Sequence, residues 1–151
     1  MRTPATIKNH PLHPLLVTFP IGLWVFSLAA DIIRFAHWGP PDVWRDVAFF
    51  SMAAGLAGAL LAAVPGFIDL LSLTDPKLRR TGLIHMFIML AVVVLYAINW
   101  GLRFTHAGDG TAPMVLSIIG VLFLLVGGWL GADLVHEHRV SVEEPGERPV
   151  S

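Results

Sequence analysis

The 151-residue chain contains no cysteine. That absence removes disulfides, thiolate-bound clusters and thiol nucleophiles as sources of chemistry, and it carries no information about compartment. Charge is scarce too: 14% of residues are Asp, Glu, Lys or Arg, against 55% hydrophobic. A soluble domain carries about 25% charged residues to keep its surface wet. The formal net charge is −1 and no basic tract is present, so nothing is built to neutralise nucleic-acid phosphates. No catalytic triad, P-loop or nucleotide fingerprint can be found, and no repeat of useful period stands out.

What the chain has is long apolar sequence, with a mean hydropathy of +0.69. Four stretches run roughly from Leu15 to Phe35, Val47 to Leu73, Leu83 to Phe104 and Met114 to Val135. Each meets the requirement of about 20 helical residues to cross a hydrocarbon core. Four spans and short connections use up nearly all the chain, so the expected fold is all-α, an integral membrane four-helix bundle. Residues 1–14 form a His/Pro leader, 15–138 the transmembrane domain, and 139–151 a tail rich in Glu, Pro and Arg that reads as disordered. The connections carry breakers: His37-Trp38-Gly39-Pro40-Pro41-Asp42, Thr74-Asp75-Pro76 and Ala107-Gly108-Asp109-Gly110-Thr111. A signal-peptide reading of the first span is weaker, because its apolar run continues through Ile32 and Ile33 past the small residues at Ser27-Leu28-Ala29.

With four spans, both termini and the middle loop share one side. That side holds Arg2, Lys8, Lys77, Arg79, Arg80, Arg139 and Arg148, against Arg34, Arg45 and Arg103 on the other. Positive charge collects on the cytoplasmic face, so both termini are expected inside. Trp38, Trp44 and Trp100 then mark the outer interface and Trp129 the inner one. Small residues at Ala54, Gly58, Ala62 and Gly66, and at Gly127 and Gly131, give stripes that let helices approach closely in lipid. The same stripes would also clear room for a flat cofactor. Pro65 is expected to kink the second span.

The histidines carry most of the chemistry. His10 and His13 lie in Asn9-His10-Pro11-Leu12-His13-Pro14 before the first span, and His85 lies early in the third. His136 and His138 follow the fourth, and Asp69 closes the second. Every helix thus brings a potential ligand to the inner end. Only His37 and His106 fall on the opposite side. Ionisable groups at membrane depth are expensive and usually face the bundle interior with a partner or a pathway. Bland readings stand beside this one: His85 hydrogen-bonded to a neighbouring helix, His136 and His138 complementing a helix dipole, and Asp69 capping or pairing with Arg79 or Arg80. Imidazoles bind zinc, copper and iron, with a carboxylate they make a non-haem site, and two of them can bracket a haem iron. His and Asp on one face could instead relay protons.

His10-Pro11-Leu12-His13-Pro14 followed by Val17-Thr18-Phe19-Pro20-Ile21-Gly22 resembles the opening signature of the DUF2231 family of predicted bacterial membrane proteins. Gly131-Ala132-Asp133-Leu134-Val135-His136-Glu137-His138 resembles its closing signature. Ala132 departs from a second glycine there, His136 from a tyrosine and Arg139 from a glycine, so the resemblance supports His138 rather than His136. It implies four spans and a bacterial inner-membrane location. Related domains beside Rieske or c-type cytochrome modules imply electron transfer.

Residues and resemblance together give the expectation of a redox centre, as b-type haem, on His10, His13, His85 and His138, with Asp69 orienting a ligand or moving a proton. Non-haem zinc, iron or copper on the same residues, with Asp69 as a further ligand, is the alternative. A structural or assembly subunit without a cofactor is the third reading. The bundle has no room for a sizeable soluble-substrate domain, so it is expected to be an electron carrier or a subunit of a redox complex rather than an enzyme alone. Its expected partners are the lipid bilayer and redox proteins or a larger membrane complex, with no nucleic acid.

Overall fold

Proline and glycine set the helix boundaries. The structure, a computed structural model, describes residues 4–7, 10–105 and 110–136. A two-residue hairpin, β1 Thr6–Ile7 and β2 His10–Pro11, leads into α1 Leu12–Phe35, α2 Pro41–Ser72, α3 Pro76–Leu102 and α4 Ala112–His136. The fold is all-α apart from that hairpin. His106, His138 and the tail 139–151 lie outside the described residues.

Helix α1 starts before the apolar run at Leu15. Pro11 is its extended N-cap, and Pro14 falls in the first turn, where no backbone N–H is needed by the helix. His13 is therefore a helical residue rather than part of a loop. At the other end, His37 adopts a positive φ of 57°. The Trp38 N–H donates to the Ile33 carbonyl and the His37 N–H to the Arg34 carbonyl, which is the Schellman arrangement that closes a helix. His37 is thus a capping residue. Pro41 opens α2 at its first turn, and Asp75 caps α3 by accepting from the Lys77 and Leu78 N–H groups. Helix α2 runs unbroken through Pro65 over 32 residues. That is about 48 Å of helix, so the turn carrying Asp42, Arg45 and Asp46 extends beyond an apolar core about 30 Å thick.

All four helices are long and apolar enough to cross a membrane, and their outward faces carry the side chains that lipid favours: Phe50 is 67% exposed, Leu61 66%, Leu125 67% and Trp129 78%. The interior is a seam of alternating three- and four-residue steps. In α1 it runs His13, Val17, Pro20, Trp24, Ser27, Asp31; in α3 His85, Met89, Val92, Tyr96, Asn99, Arg103. Helix α4 contributes Pro113, Ser117, Gly120, Leu124, Gly127 and Gly131, and α2 Ala48, Met52, Gly55, Ala59, Ala62, Gly66 and Asp69. A 3.5-residue period is the signature of bundle packing. The α2 stripe is corrected by this register: Gly55, not the exposed Ala54, lies in the seam. The centre is Trp24, Met52, Val92, Tyr96 and Leu124, with the Trp24 and Tyr96 rings stacked at 4.3 Å and 5°.

A repeat is present in these contacts although the sequence hides it. The Trp24 indole donates to the Met52 carbonyl at 3.3 Å, and the Tyr96 hydroxyl to the Ser117 carbonyl at 3.4 Å. The Ser27 hydroxyl donates to the Ala48 carbonyl, and the Asn99 amide to the Pro113 carbonyl, both at 2.9 Å. A Cβ on Gly55 would meet Trp24, and one on Gly120 would meet Tyr96. In every case the α1 residue has its counterpart 72 positions on in α3, and the α2 residue its counterpart 65 positions on in α4 (24 and 96, 27 and 99; 52 and 117, 48 and 113, 55 and 120). Hairpin α1–α2 and hairpin α3–α4 are two copies of one packing unit.

Candidate histidine centre

His13 and His85 occupy equivalent places in the two hairpins. The His13 Nδ1 lies 2.8 Å from the Ala62 carbonyl of α2, and the His85 Nδ1 lies 2.9 Å from the Gly127 carbonyl of α4. A carbonyl only accepts, so each Nδ1 carries a proton, and in the neutral ring Nε2 keeps its lone pair. Each bond is worth about 0.5–1.5 kcal/mol net, and more usefully it fixes tautomer and ring direction. Two glycines admit the rings: a Cβ on Gly66 would sit 2.6 Å from His13 Nδ1, and one on Gly131 3.2 Å from His85 Cε1. The two imidazole centres are 6.3 Å apart, with planes at 88°.

Of the other expected ligands, the structure describes His10 and Asp69. His10 is on β2, opposite Ile7, with its side chain exposed. Asp69 is buried and accepts at 3.1 Å from the Ala5 N–H, so it holds the leader against α2 rather than pairing with Arg79 or Arg80. His138 lies outside the described residues. Among the described residues no three His, Asp or Glu side chains come together as a metal-holding group. Among the described residues, two imidazoles come together here.

The opposite end of the bundle holds a polar network that the sequence reading missed. Asp31 and Arg103 form a two-pronged ion pair, at 2.9 and 2.6 Å, with both side chains nearly fully buried. The Ser117 hydroxyl donates to Asp31 at 3.4 Å and accepts from the Asn99 amide at 2.9 Å. Arg103, counted above among the cations of the outer side, is an interior residue, because the α3 seam carries it inward one turn after Asn99. The available signal was spacing: Trp24, Ser27 and Asp31 keep seam register through an otherwise apolar span. Trp100, expected at an interface, packs against Phe49 and Phe104.

These features describe a multi-pass membrane protein with its ionisable groups gathered at the two ends of the bundle. Neither the curated proteins nor the solved structures contain a match. A family model described as a predicted membrane protein, DUF2231, matches residues 9–144, and the chain belongs to that family.

Proposed function

We propose that this protein carries one redox metal centre on His13 and His85, with b-type haem as its occupant, and passes electrons within the membrane. The carrying observation is the pair of imidazoles, one from each hairpin, each with Nδ1 on a backbone carbonyl and Nε2 left as a donor. Two imidazoles binding one metal in line would hold their ring centres about 6 Å apart, taking about 2 Å per metal–nitrogen bond and about 1 Å from nitrogen to ring centre; the observed separation is 6.3 Å. A zinc site wants four protein donors or three and a water, and the described residues supply two here. A tetrapyrrole brings four nitrogens of its own, so two axial imidazoles complete its iron. Bound there, it would supply one-electron transfer. The protein's part is to hold the rings: the carbonyls of Ala62 and Gly127 raise ligand basicity and lock orientation, while Met89, seated against Gly127, adds an apolar layer beside His85 that excludes water.

Lys77, Arg79 and Arg80 lie in the first turns of α3 at the histidine end, against Arg34 and Arg45 at the other. With Arg103 withdrawn into the interior, the imbalance grows and favours a cytoplasmic histidine end in a bacterial inner membrane. A half-buried pair at one end of a membrane bundle suits a carrier or a subunit of a redox complex. The test is an absorption spectrum of the purified protein, oxidised and then reduced with dithionite, with metals quantified on the same sample. A Soret band and split visible bands on reduction support the reading. Stoichiometric metal without those bands moves the site to a non-haem ion, and neither leaves a bundle without a cofactor.

A further inference from the structure

Three of the contacts that join the two hairpins link counterparts. His13 faces His85, Trp24 stacks on Tyr96 and Asp31 pairs with Arg103. Each pair is separated by 72 positions (13 and 85, 24 and 96, 31 and 103). A contact between a residue and its own equivalent is what a two-fold axis produces. The three contacts follow the same order along α1 and α3, so these helices run in the same direction and the axis lies along the membrane normal. Parallel repeats related this way are a known plan for membrane proteins, with ligands held at the repeat interface.

The layers differ in how far the halves have diverged. At the ion-pair layer one hairpin carries the acid and the other the base. At the stack, tryptophan faces tyrosine. At the histidine layer the side chains are identical, and so is their support: Nδ1 on a carbonyl of the following helix, and a glycine one turn further on, Gly66 and Gly131, beside the ring. Identity at that layer alone among the three points to a ligand lying on the axis and drawing the same donor from both sides.

We infer that the histidine centre is a two-fold site, in which His13 and His85 are interchangeable axial ligands of a single on-axis haem and their ring planes are crossed. This deepens the haem reading and rests on it. Crossed axial planes leave two of the iron's d orbitals nearly degenerate. The oxidised centre should therefore give one strongly anisotropic low-spin signal by electron paramagnetic resonance, not the three-line rhombic signal of parallel rings.

The experiment uses the full-length protein purified with its haem. Low-temperature resonance spectra and haem per chain are measured for the parent, for His13→Ala and His85→Ala with and without added imidazole, and for His13→Met and His85→Met, which keep a ligand atom if an alanine variant fails to fold. The expected result is one haem per chain, the anisotropic signal, equal losses of low-spin character in the two alanine variants, recovery of both with imidazole, and matching spectral shifts in the two methionine variants. A rhombic signal overturns the crossed geometry. A parent-like spectrum in His13→Ala, with loss in His10→Ala or His138→Ala, overturns the axial pair while leaving a haem protein. A parent without haem removes the underlying reading and this inference together.

Discussion

Reversing the Asp31–Arg103 ion pair is the sharpest test of the bundle's two-fold plan. Both side chains are nearly fully buried and joined through two hydrogen bonds. Removing one member strands a charge, and breaking a buried pair in this way costs about 3–5 kcal/mol. For a chain of this size each kcal/mol lowers the melting temperature by about 2–4 °C, so Asp31→Asn and Arg103→Ala should each melt about 6–20 °C below the parent. Asp31→Arg and Arg103→Asp, which set like charges face to face, should do at least as badly. The double reversal Asp31→Arg with Arg103→Asp puts each charge where its counterpart was, and equivalence of the hairpins predicts that most of the loss returns. Recovery should be incomplete, because Ser117 supports Asp31 from α4 and its counterpart in α2 is Met52, which has no hydroxyl. The assay is thermal unfolding in detergent followed by circular dichroism, analysed as a double-mutant cycle. Single-variant shifts under about 2 °C, corresponding to less than about 1 kcal/mol, would refute the buried pair. A double reversal as unstable as the worse single would refute equivalence.

Other substitutions probe the remaining layers. Gly55→Ala and Gly120→Ala drive a methyl into Trp24 at 2.4 Å and Tyr96 at 2.6 Å, and each should cost about 1–3 kcal/mol by overpacking. Gly22→Ala and Gly128→Ala meet open space and should leave the melting temperature equal or higher, since Gly is about 1 kcal/mol worse than Ala within a helix. Gly66→Ala should displace the His13 ring more than Gly131→Ala displaces that of His85, since the new methyl stands at 2.6 Å from His13 and 3.2 Å from His85; on the proposed haem reading, pigment per protein would fall further in Gly66→Ala. Asp69→Ala releases the Ala5 N–H, so limited proteolysis should cut the leader before α1 faster than in the parent.

Four apolar runs and the breakers between them were enough to read the helices, since lipid leaves a spanning chain few other ways to satisfy its backbone. The meeting of His13 and His85 at one end was legible for the same reason: alternating spans bring the start of the first and third helices together. Three features were not legible. Asp31 and Arg103 look like ordinary span-end charges until the seam register is followed inward. Ala54 and Gly55 are adjacent small residues, and only packing against Trp24 decides which one faces the partner. The repeat is hidden because lipid-facing positions have no reason to keep their identities, and interior positions have diverged to complementary pairs such as Trp24 with Tyr96. What is kept is the carbonyl each side chain reaches, and backbone partners leave no mark in a sequence.

The stack of Trp24 on Tyr96 has a further consequence. It lies between the histidine pair and the ion pair, walled by Met52, Val92 and Leu124, so the two polar ends do not meet in a continuous hydrogen-bonded thread. A continuous hydrogen-bonded thread across a membrane would give hydrogen ions a path down any gradient it holds. Sealed at its waist by two flat aromatic rings, this bundle can keep charged and titratable groups near both surfaces without short-circuiting the membrane in which it sits.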